Sequence, residues 1–197
     1  MSVSVCVFCG AKSGADPRYA RLAGETGAAI AARGWTLVYG GGRVGLMGAL
    51  ADGALSAGGA VVGVIPETLM RREVAHHGLA ELDVVADMAT RKTRMIARSD
   101  AFLALPGGLG TLDELFEVLT LRQIGVVRKP CAVLDDGGYW APMMAALRGF
   151  VDAGFVAPAD LDHVIVAPTI ATVLERLGAA VQSDRAGGSA RPAAPPG

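Results

Sequence analysis

The residues best suited to chemistry lie in one short segment, from Ser99 to Glu114. An apolar run at Ala101–Leu105 leads into a glycine-rich turn at Pro106–Gly110, and Thr111–Glu114 follows at once. Glycines let a backbone approach a ligand closely, and free N–H groups at the start of a helix attract phosphate. A carboxylate one turn into that helix would reach the sugar attached to the phosphate. The segment therefore predicts chemistry on a nucleotide.

The same segment also has a purely structural explanation. Thr111–Glu114 fits the capping box S/T-x-x-E, in which the glutamate side chain bonds back to the N–H of the cap residue. Spacing alone favours that structural role. A site is favoured instead because four residues of glycine-rich turn precede the cap, and because Asp113 and Glu114 place two acids at the helix start. One acid can then serve the helix dipole while the other acts on a ligand.

A run of cations precedes the glycine-rich turn. Arg91, Arg94 and Arg98 lie at positions i, i+3 and i+7 and share one face of a predicted helix. A solvated basic face is the ordinary interpretation of such a run. Because this helix leads directly into the strand that feeds the turn, its first cations, Arg91 and Lys92, can meet a phosphorylated ligand. Arginine offers a planar fork that suits phosphate, whereas lysine offers a point charge.

Two further glycine-bearing loops follow predicted strands, at Cys9–Ser13 and Gly40–Gly45. In an open α/β sheet the carboxyl ends of the strands share one edge, where ligands bind. We therefore expect all three loops to converge on one cleft. The candidate nucleotide contacts from the two additional loops are Gly10, Ser13, Gly41 and Gly42.

The second of these loops leaves two alternatives open. Gly40-x-Gly42-x-x-Gly45 matches the dinucleotide fingerprint, which also requires an acid at the end of the next strand. Glu67 comes somewhat late for that role, so NAD binding stays an alternative. The other alternative is that these glycines only permit tight turns.

Composition narrows the function classes. The 18 basic and 19 acidic side chains nearly cancel, and no basic stripe with interleaved aromatics occurs, so we expect no nucleic-acid partner. Charged residues, glycine or proline interrupt each apolar run well before the about 20 residues that a membrane span needs. Three cysteines and an uncharged N-terminal stretch argue against a secreted disulfide fold, so we expect a cytoplasmic protein.

Other catalytic or metal-binding patterns find little support. Cys6 and Cys9 form a C-x-x-C match, but both fall in a predicted strand, where residues three apart point to opposite faces. We interpret them as ordinary strand cysteines. The histidines His76, His77 and His163 are too few and too poorly spaced for a metal site, and we expect neither a metal nor a cofactor. The sequence contains no P-loop and no G-x-S-x-G elbow, which disfavours ATP hydrolysis and serine-esterase chemistry.

Short apolar runs alternate with helical patterns along the chain. The predicted strands are Val3–Cys9, Thr36–Tyr39, Ala60–Ile65, Ala101–Leu105, Cys131–Leu134 and His163–Val166, with a further short strand near Leu82–Val85. The predicted helices are Pro17–Arg33, Leu46–Ala57, Met88–Arg98, Leu112–Gln123, Ala141–Ala153 and Ile170–Leu177. This alternation predicts a doubly wound α/β fold, with a parallel sheet and helices on both faces. We expect one nucleotide-binding domain over residues 1–182 and a disordered tail over residues 183–197.

The chain also resembles a known family. Pro106–Glu114 fits the PGGxGTxxE motif of the Lonely Guy (LOG) family, the cytokinin riboside 5′-monophosphate phosphoribohydrolases that were long labelled lysine decarboxylases. The resemblance includes the Gly40–Gly48 loop, Pro66 with Arg72-Glu73, Arg91-Lys92 and Ser99–Phe102, and it extends from about Val3 to Leu177. It implies hydrolysis of the N-glycosidic bond of a prenylated AMP, which gives free cytokinin base and ribose 5-phosphate. It also implies a homodimer.

The resemblance assigns roles to individual residues. Arg91 and Glu114 match the catalytic pair. The positions that match substrate contacts are Glu73, Arg91, Lys92, Gly107, Gly108, Leu109, Gly110, Thr111, Leu112, Asp113 and Glu114. In this interpretation Glu114 stabilises an oxocarbenium-like sugar or activates water, Arg91 orients the substrate, and backbone N–H groups hold the 5′-phosphate. We expect Glu114→Gln and Arg91→Ala each to nearly abolish base release with the fold intact.

Three competing functions stay open at this point. One is an AMP nucleosidase with broad base preference, and another is a non-catalytic module that binds AMP-like ligands. The third is lysine decarboxylation, which requires a Schiff-base lysine for pyridoxal phosphate. The chain offers Lys12, Lys92 and Lys129 for that role, and none has a convincing cofactor context.

Overall fold

The computed structural model describes residues 2–70, 75–76, 78–79 and 81–187. Within these residues the strands are β1 Ser4–Phe8, β2 Thr36–Tyr39, β3 Val61–Pro66, β4 Glu81–Val85, β5 Ala101–Ala104, β6 Cys131–Leu134 and β7 Val164–Ala167. The helices of the same ranges are α1 Arg18–Ala32, α2 Gly45–Ser56, α3 Glu67–Met70, α4 Met88–Ala97, α5 Leu109–Gln123, α6 Ala141–Asp152, α7 Pro158–Asp162 and α8 Ile170–Gly187. A short 3₁₀ helix at Asp136–Gly138 follows β6.

The strands form one parallel sheet in the order β4-β3-β2-β1-β5-β6-β7. At its centre Val5 of β1 pairs in register with Leu37 of β2 on one side and with Ala101 of β5 on the other. The direction of winding reverses between β1 and β5, so the loops after these two strands diverge and leave a crevice at the carboxyl edge. The doubly wound α/β fold that the sequence predicts is confirmed.

Apolar side chains cover both faces of the sheet. Val7 and Cys9 belong to the layer that packs against α1, α2 and α8, whereas Cys6 and Phe8 belong to the layer that packs against α4 and α5. This alternation is the pleat of a strand, in which neighbouring side chains point to opposite faces. The prediction that Cys6 and Cys9 lie on opposite faces of the sheet is therefore confirmed, although β1 ends at Phe8 and Cys9 follows it directly.

The strand bounds agree with the prediction to within one residue at each end, but two helices differ. Helix α5 begins at Leu109 rather than Leu112, because the last two residues of the glycine-rich turn, Leu109 and Gly110, already belong to the helix. Helix α8 ends at Gly187 rather than Leu177, so the predicted tail contributes five helical residues. Val181, 2% exposed, packs into the core on this added length, and the Arg185 guanidinium bonds Asp100 at 3.0 Å. Residues 188–197 lie outside the described residues.

Candidate active site

The loops after β1 and β5 enclose a cavity of about 580 Å³ at the carboxyl edge of the sheet. Its walls come from the first glycine loop at Gly10–Lys12, the start of α2, the first turn of α4, and the segment Pro106–Thr111 with Glu114. The main-chain N–H of Gly10 donates to the carbonyl of Pro106 at 3.1 Å and joins the first loop to the third. The volume is within the range of small-molecule sites in proteins. Two of the three predicted loops therefore meet directly in one cleft.

Arg91 forms the base of this cleft. It lies in the first turn of α4, which Asp87 caps by accepting the N–H of Thr90 at 2.7 Å. Its side chain is 6% exposed, and Nε donates to the carbonyl of Val64 at 3.0 Å. One terminal nitrogen donates to the carbonyl of Gly40 at 3.1 Å. The carboxyl ends of β2 and β3 therefore anchor the guanidinium.

Glu114 completes the buried pair. The other terminal nitrogen of Arg91 donates to Glu114 Oε1 at 3.2 Å, and the carboxylate is 9% exposed. Burial raises the pKa of Glu114 to about 7, while the positive charge of Arg91 acts in the opposite direction. Burial is the larger effect because it removes water from the charged carboxylate, whereas Arg91 divides its donors among three acceptors. Glu114 is thus able to change protonation near neutral pH.

This contact shows that the capping-box interpretation is wrong. Gly108 is the residue before the first helical turn, and the N–H of Leu112 donates to its carbonyl at 3.0 Å. Thr111 is therefore already the third helical residue, and Glu114 lies in the second turn rather than the first. The carboxylate of Glu114 bonds Arg91 from α4 instead of the main chain at its own helix start.

The start of α5 offers hydrogen-bond donors to the cavity. The N–H groups of Leu109, Gly110 and Thr111 precede Leu112, whose N–H makes the first helical bond, so no carbonyl of the helix accepts from them, as at every helix start. The Thr111 hydroxyl is buried, with the residue 3% exposed, and it has no hydrogen-bond partner among the described residues. An unpaired buried hydroxyl is costly unless a ligand pairs with it. Free donors and an unpaired hydroxyl at a helix N-terminus suit a phosphate.

Two glycines are required because side chains of the site lie directly against the backbone. A Cβ at Gly40 would lie 1.8 Å from a terminal nitrogen of Arg91. A Cβ at Gly107 would lie 2.0 Å from the Thr111 hydroxyl oxygen. Neither distance is possible for real atoms, so any other residue would displace Arg91 or Thr111. These glycines serve close approach rather than a positive φ.

Some residues predicted to contact substrate lie elsewhere. Lys92 Nζ pairs with Asp113 at 3.1 Å and with Glu117 at 2.8 Å on the outer surface of α4 and α5, and the bond to Glu117 raises the pKa of Lys92. Leu112 packs against the apolar layer under these helices. In the structure Lys92, Leu112 and Asp113 therefore join α4 to α5 and do not line the cavity.

The second glycine loop also differs from expectation. Gly42 forms an antiparallel bridge with Ala75, and the carbonyl of Gly41 accepts the N–H of His76 at 3.3 Å. Neither glycine lines the cavity, and exposed Ser13 does not line it either. The loop contributes through the carbonyl of Gly40 instead. Glu73, another predicted substrate contact, lies outside the described residues.

Sequence reasoning missed several lining side chains. Four of them are apolar: Leu46, Met47, Leu69 and Met88. Two are tyrosines, Tyr19 and Tyr139. A signal for Tyr139 was available, because Asp135–Gly138 is a turn sequence directly after β6, at the edge where ligands bind.

The described residues hold no cluster of three or more His, Cys, Asp or Glu side chains placed to bind a metal ion. Each helix in the described ranges is too short or too polar to cross a bilayer.

The fold and the cleft define a Rossmann-like α/β domain with a buried arginine–glutamate pair at its switch point. The molybdenum cofactor binding protein of Rippkaea orientalis has this fold, with a TM-score of 0.70 at 24% identity over 91% of this chain and 97% of that one. The Moco carrier protein of Chlamydomonas reinhardtii gives 0.69 at 24% identity over 91% and 99%. At this low identity the likeness shows the fold alone.

Sequence comparison identifies the family. The family model described as "possible lysine decarboxylase" matches residues 47–177, and the chain belongs to this family, which includes the LOG proteins. The chain is 51% identical over 168 residues to the cytokinin riboside 5′-monophosphate phosphoribohydrolase of Rhodococcoides fascians, covering 85% of both proteins. The enzyme of that name from Mycobacterium tuberculosis is 46% identical over 171 residues, covering 87% of this chain and 91% of the relative. Arabidopsis thaliana LOG7 is 43% identical over 173 residues, covering 88% and 80%.

Proposed function

We propose that this protein hydrolyses the N-glycosidic bond of cytokinin riboside 5′-monophosphates. The bond between ribose C1′ and the base nitrogen breaks, water oxygen bonds to C1′, and the base leaves with a proton. The products are free cytokinin base and ribose 5-phosphate. Similarity to three proteins of that name over at least 80% of their lengths supports this activity.

The observation that carries the proposal is the buried Arg91–Glu114 pair beside the unpaired Thr111 hydroxyl. A phosphate on the start of α5 would place its pentose over the second turn, where Glu114 lies. Cleavage of a ribosyl–base bond passes through an oxocarbenium-like state, which a carboxylate stabilises directly or by activating water. Arg91 holds Glu114 in place and retains two further N–H donors beyond the three used in the described contacts.

The apolar side chains of Leu46, Met47, Leu69 and Met88, which line the cavity, support a base that carries an apolar group. A prenyl substituent buried there gains about 0.8 kcal/mol per methylene, which unmodified AMP would forgo. A broad AMP nucleosidase predicts little difference between the two substrates. We therefore propose that prenylated AMP is preferred over AMP.

The positions of the lysines disfavour decarboxylation chemistry. Lys92 pairs with Asp113 and Glu117, and Lys129 Nζ donates to the carbonyl of Ile96 at 2.7 Å, away from the cleft. Among the described residues, Lys12 is the lysine that lines the cavity, and it is exposed in the loop after β1. An absorbance spectrum of the purified protein tests this alternative, because a pyridoxal band would support it.

The decisive experiment incubates purified protein with AMP or prenylated AMP and measures free base by chromatography. We expect the wild type to release base from prenylated AMP and Glu114→Gln to lose at least about 100-fold in kcat, because an amide neither stabilises a cation nor activates water. Glu117→Gln is the matched control: Glu117 lies one turn further along α5 and pairs with Lys92 outside the cavity. Its activity should stay within about twofold of the wild type.

Two results would contradict the proposal. Binding of AMP without base release by the wild type would indicate the non-catalytic module, and near-normal turnover by Glu114→Gln would remove that residue from the mechanism.

Arg91→Ala is a less informative variant than the sequence suggested. Truncation would strip three contacts from the cleft and leave Glu114 buried without its partner, which costs about 3–5 kcal/mol.

We further propose that the active form is a homodimer located in the cytoplasm. Helices α4 and α5 carry large exposed apolar side chains, Leu109 at 86% together with Met88 and Phe116, and these support a protein partner on the two helices. A nucleoside monophosphate is too highly charged to cross a bilayer, so a substrate made inside the cell supports a cytoplasmic location. Light scattering and cell fractionation test these two proposals.

A further inference from the structure

Tyr139 lines the same cavity as the glycine-rich turn and contacts it directly. Its hydroxyl donates to the carbonyl of Gly107 at 2.5 Å, a bond between residues 32 positions apart. This is a contact between a side chain after β6 and the backbone after β5. The bond restrains the orientation of the peptide that joins Gly107 to Gly108.

The ring of Tyr139 is held from two sides. It makes an edge contact with Tyr19, whose centroid is 5.6 Å away, and another with Trp140 at 5.0 Å. The N–H of Trp140 donates to Asp135 Oδ1 at 2.6 Å, which closes the turn that carries Tyr139. Gly137 and Gly138 supply the positive φ values, 61° and 77°, that this turn requires. The hydroxyl is thus pre-organised toward Gly107.

Peptide geometry links this bond to the ligand. In a trans peptide the carbonyl and the N–H point in opposite directions, so fixing the Gly107 carbonyl toward Tyr139 fixes the Gly108 N–H away from it. Because Gly107 also lies directly against the Thr111 hydroxyl, rotation of that peptide would disturb Thr111 as well. Thr111 belongs to the helix start that suits a phosphate, and the Gly108 N–H comes directly before the first turn of that helix.

We propose that Tyr139 is a positioning residue for phosphate binding, acting through the Gly107–Gly108 peptide. The inference rests on the proposed function and deepens it. It assigns the recognition of the phosphorylated sugar to a side chain outside the glycine-rich motif. Its consequence is selective: affinity for ribose 5-phosphate depends on the Tyr139 hydroxyl, whereas affinity for the free base does not.

The test compares Tyr139→Phe with the wild type by titrating ribose 5-phosphate and free prenylated adenine separately in a calorimeter. One neutral hydrogen bond corresponds to about a 3- to 10-fold change in affinity. We expect ribose 5-phosphate to bind about 3- to 10-fold more weakly and the base to bind unchanged. The KM for prenylated AMP should rise by a similar factor, with kcat within about twofold.

Tyr39→Phe is the matched control. It removes a buried hydroxyl that has no partner among the described residues, and Tyr39 does not line the cavity. Its affinities and kinetics should equal those of the wild type. Thermal melting of both variants shows whether either substitution affects folding.

Each outcome has a separate meaning. Equal affinity of Tyr139→Phe and wild type for ribose 5-phosphate would overturn the inference. A parallel loss of affinity for both products would overturn it too, because it would indicate a general structural role. If Tyr139→Phe weakens the binding of ribose 5-phosphate and leaves that of the base unchanged, but the wild type hydrolyses no nucleotide, the positioning role stands and the proposed function fails.

Discussion

At the scale of single residues, burial of the Arg91–Glu114 pair lowers the stability of the fold. The same burial gives Glu114 the raised pKa that the proposed chemistry uses. Two charges withdrawn from water lose hydration that their mutual attraction at 3.2 Å only partly restores. Arg91 offsets its loss by bonding the carbonyls of Gly40 and Val64. Glu114 has less compensation, which is why burial moves its pKa to about 7. Perturbed carboxyl groups in clefts are typical of catalytic sites.

We predict that activity depends on ionised Glu114 and therefore falls in acid. With a pKa of about 7, the carboxylate is protonated at lower pH, and a neutral acid neither stabilises an oxocarbenium ion nor accepts a proton from water. The measurement is kcat/KM against pH from 5 to 9, which reports the groups of the free enzyme. It should fall about tenfold per pH unit below about 7 and level off above it.

The substrate phosphate also titrates near pH 6 and therefore contributes to the pH dependence of activity. The free energy of unfolding of the substrate-free protein, measured against pH, reports Glu114 without that contribution. The pKa of Glu114 is raised above its ordinary 4.5, so the folded protein holds a proton that the unfolded chain releases. Stability from this group is complete below about pH 4.5 and is lost as the pH rises toward 7. Glu114→Gln should therefore gain stability relative to the wild type over that window. A constant difference between the two would contradict a raised pKa.

At the scale of elements, the sequence predicts what depends on local pattern. Short apolar runs, separated by helical patterns, predict where the strands lie. The glycine-rich turn after β5 predicts where the cleft lies. The start of α5 was mispredicted because Thr111–Glu114 satisfies a local capping rule that a tertiary partner overrides: Glu114 bonds Arg91, 23 positions away in the sequence. Lys92 was assigned to the substrate for a similar reason. Its neighbour Arg91 turns inward, and helical geometry sends Lys92 outward to Glu117.

Close packing of α1 on α2 yields a prediction at this scale. A Cβ at Gly27 would lie 2.0 Å from the carbonyl oxygen of Leu50, so the two helix backbones touch at this point. We expect Gly27→Ala to lower the free energy of unfolding by about 1–3 kcal/mol through overpacking. Chemical denaturation measures the change.

Gly149 provides the opposite case within α6. It is exposed, and a Cβ there meets no described atom within 4 Å. Gly149→Ala should therefore stabilise the protein by about 0.5–1 kcal/mol, which is the ordinary gain of alanine over glycine in a helix. Equal effects of the two substitutions would show that contact between α1 and α2 does not determine the choice of glycine.

At the scale of the whole molecule, parallel topology brings distant segments to one edge of the sheet. Gly10, Arg91, Thr111 and Tyr139 come from four different parts of the chain and meet because each follows the carboxyl end of a strand. Among the described residues, none from the C-terminal helix lines the cavity at this edge. Composition predicted that order would end before residue 183, because alanine, glycine and serine carry little local signal for packing. The burial of Val181 and the contact of Arg185 with Asp100 are tertiary features that composition does not reveal.

Truncation of α8 gives a graded prediction of where the domain ends. A chain ending at Gly187 should unfold at the temperature of the full chain, because the composition of residues 188–197 predicts no packing. Ending at Gln182 removes the partly exposed Arg185–Asp100 pair and should cost less than about 1 kcal/mol. Ending at Leu177 also removes buried Val181 and should cost about 1.5–3 kcal/mol more.

Melting curves with and without ribose 5-phosphate should show the same ligand-induced shift for all folded truncations, since α8 does not line the cavity. A large loss already at Gln182 would place the end of the domain beyond it and make Arg185 part of the structural core.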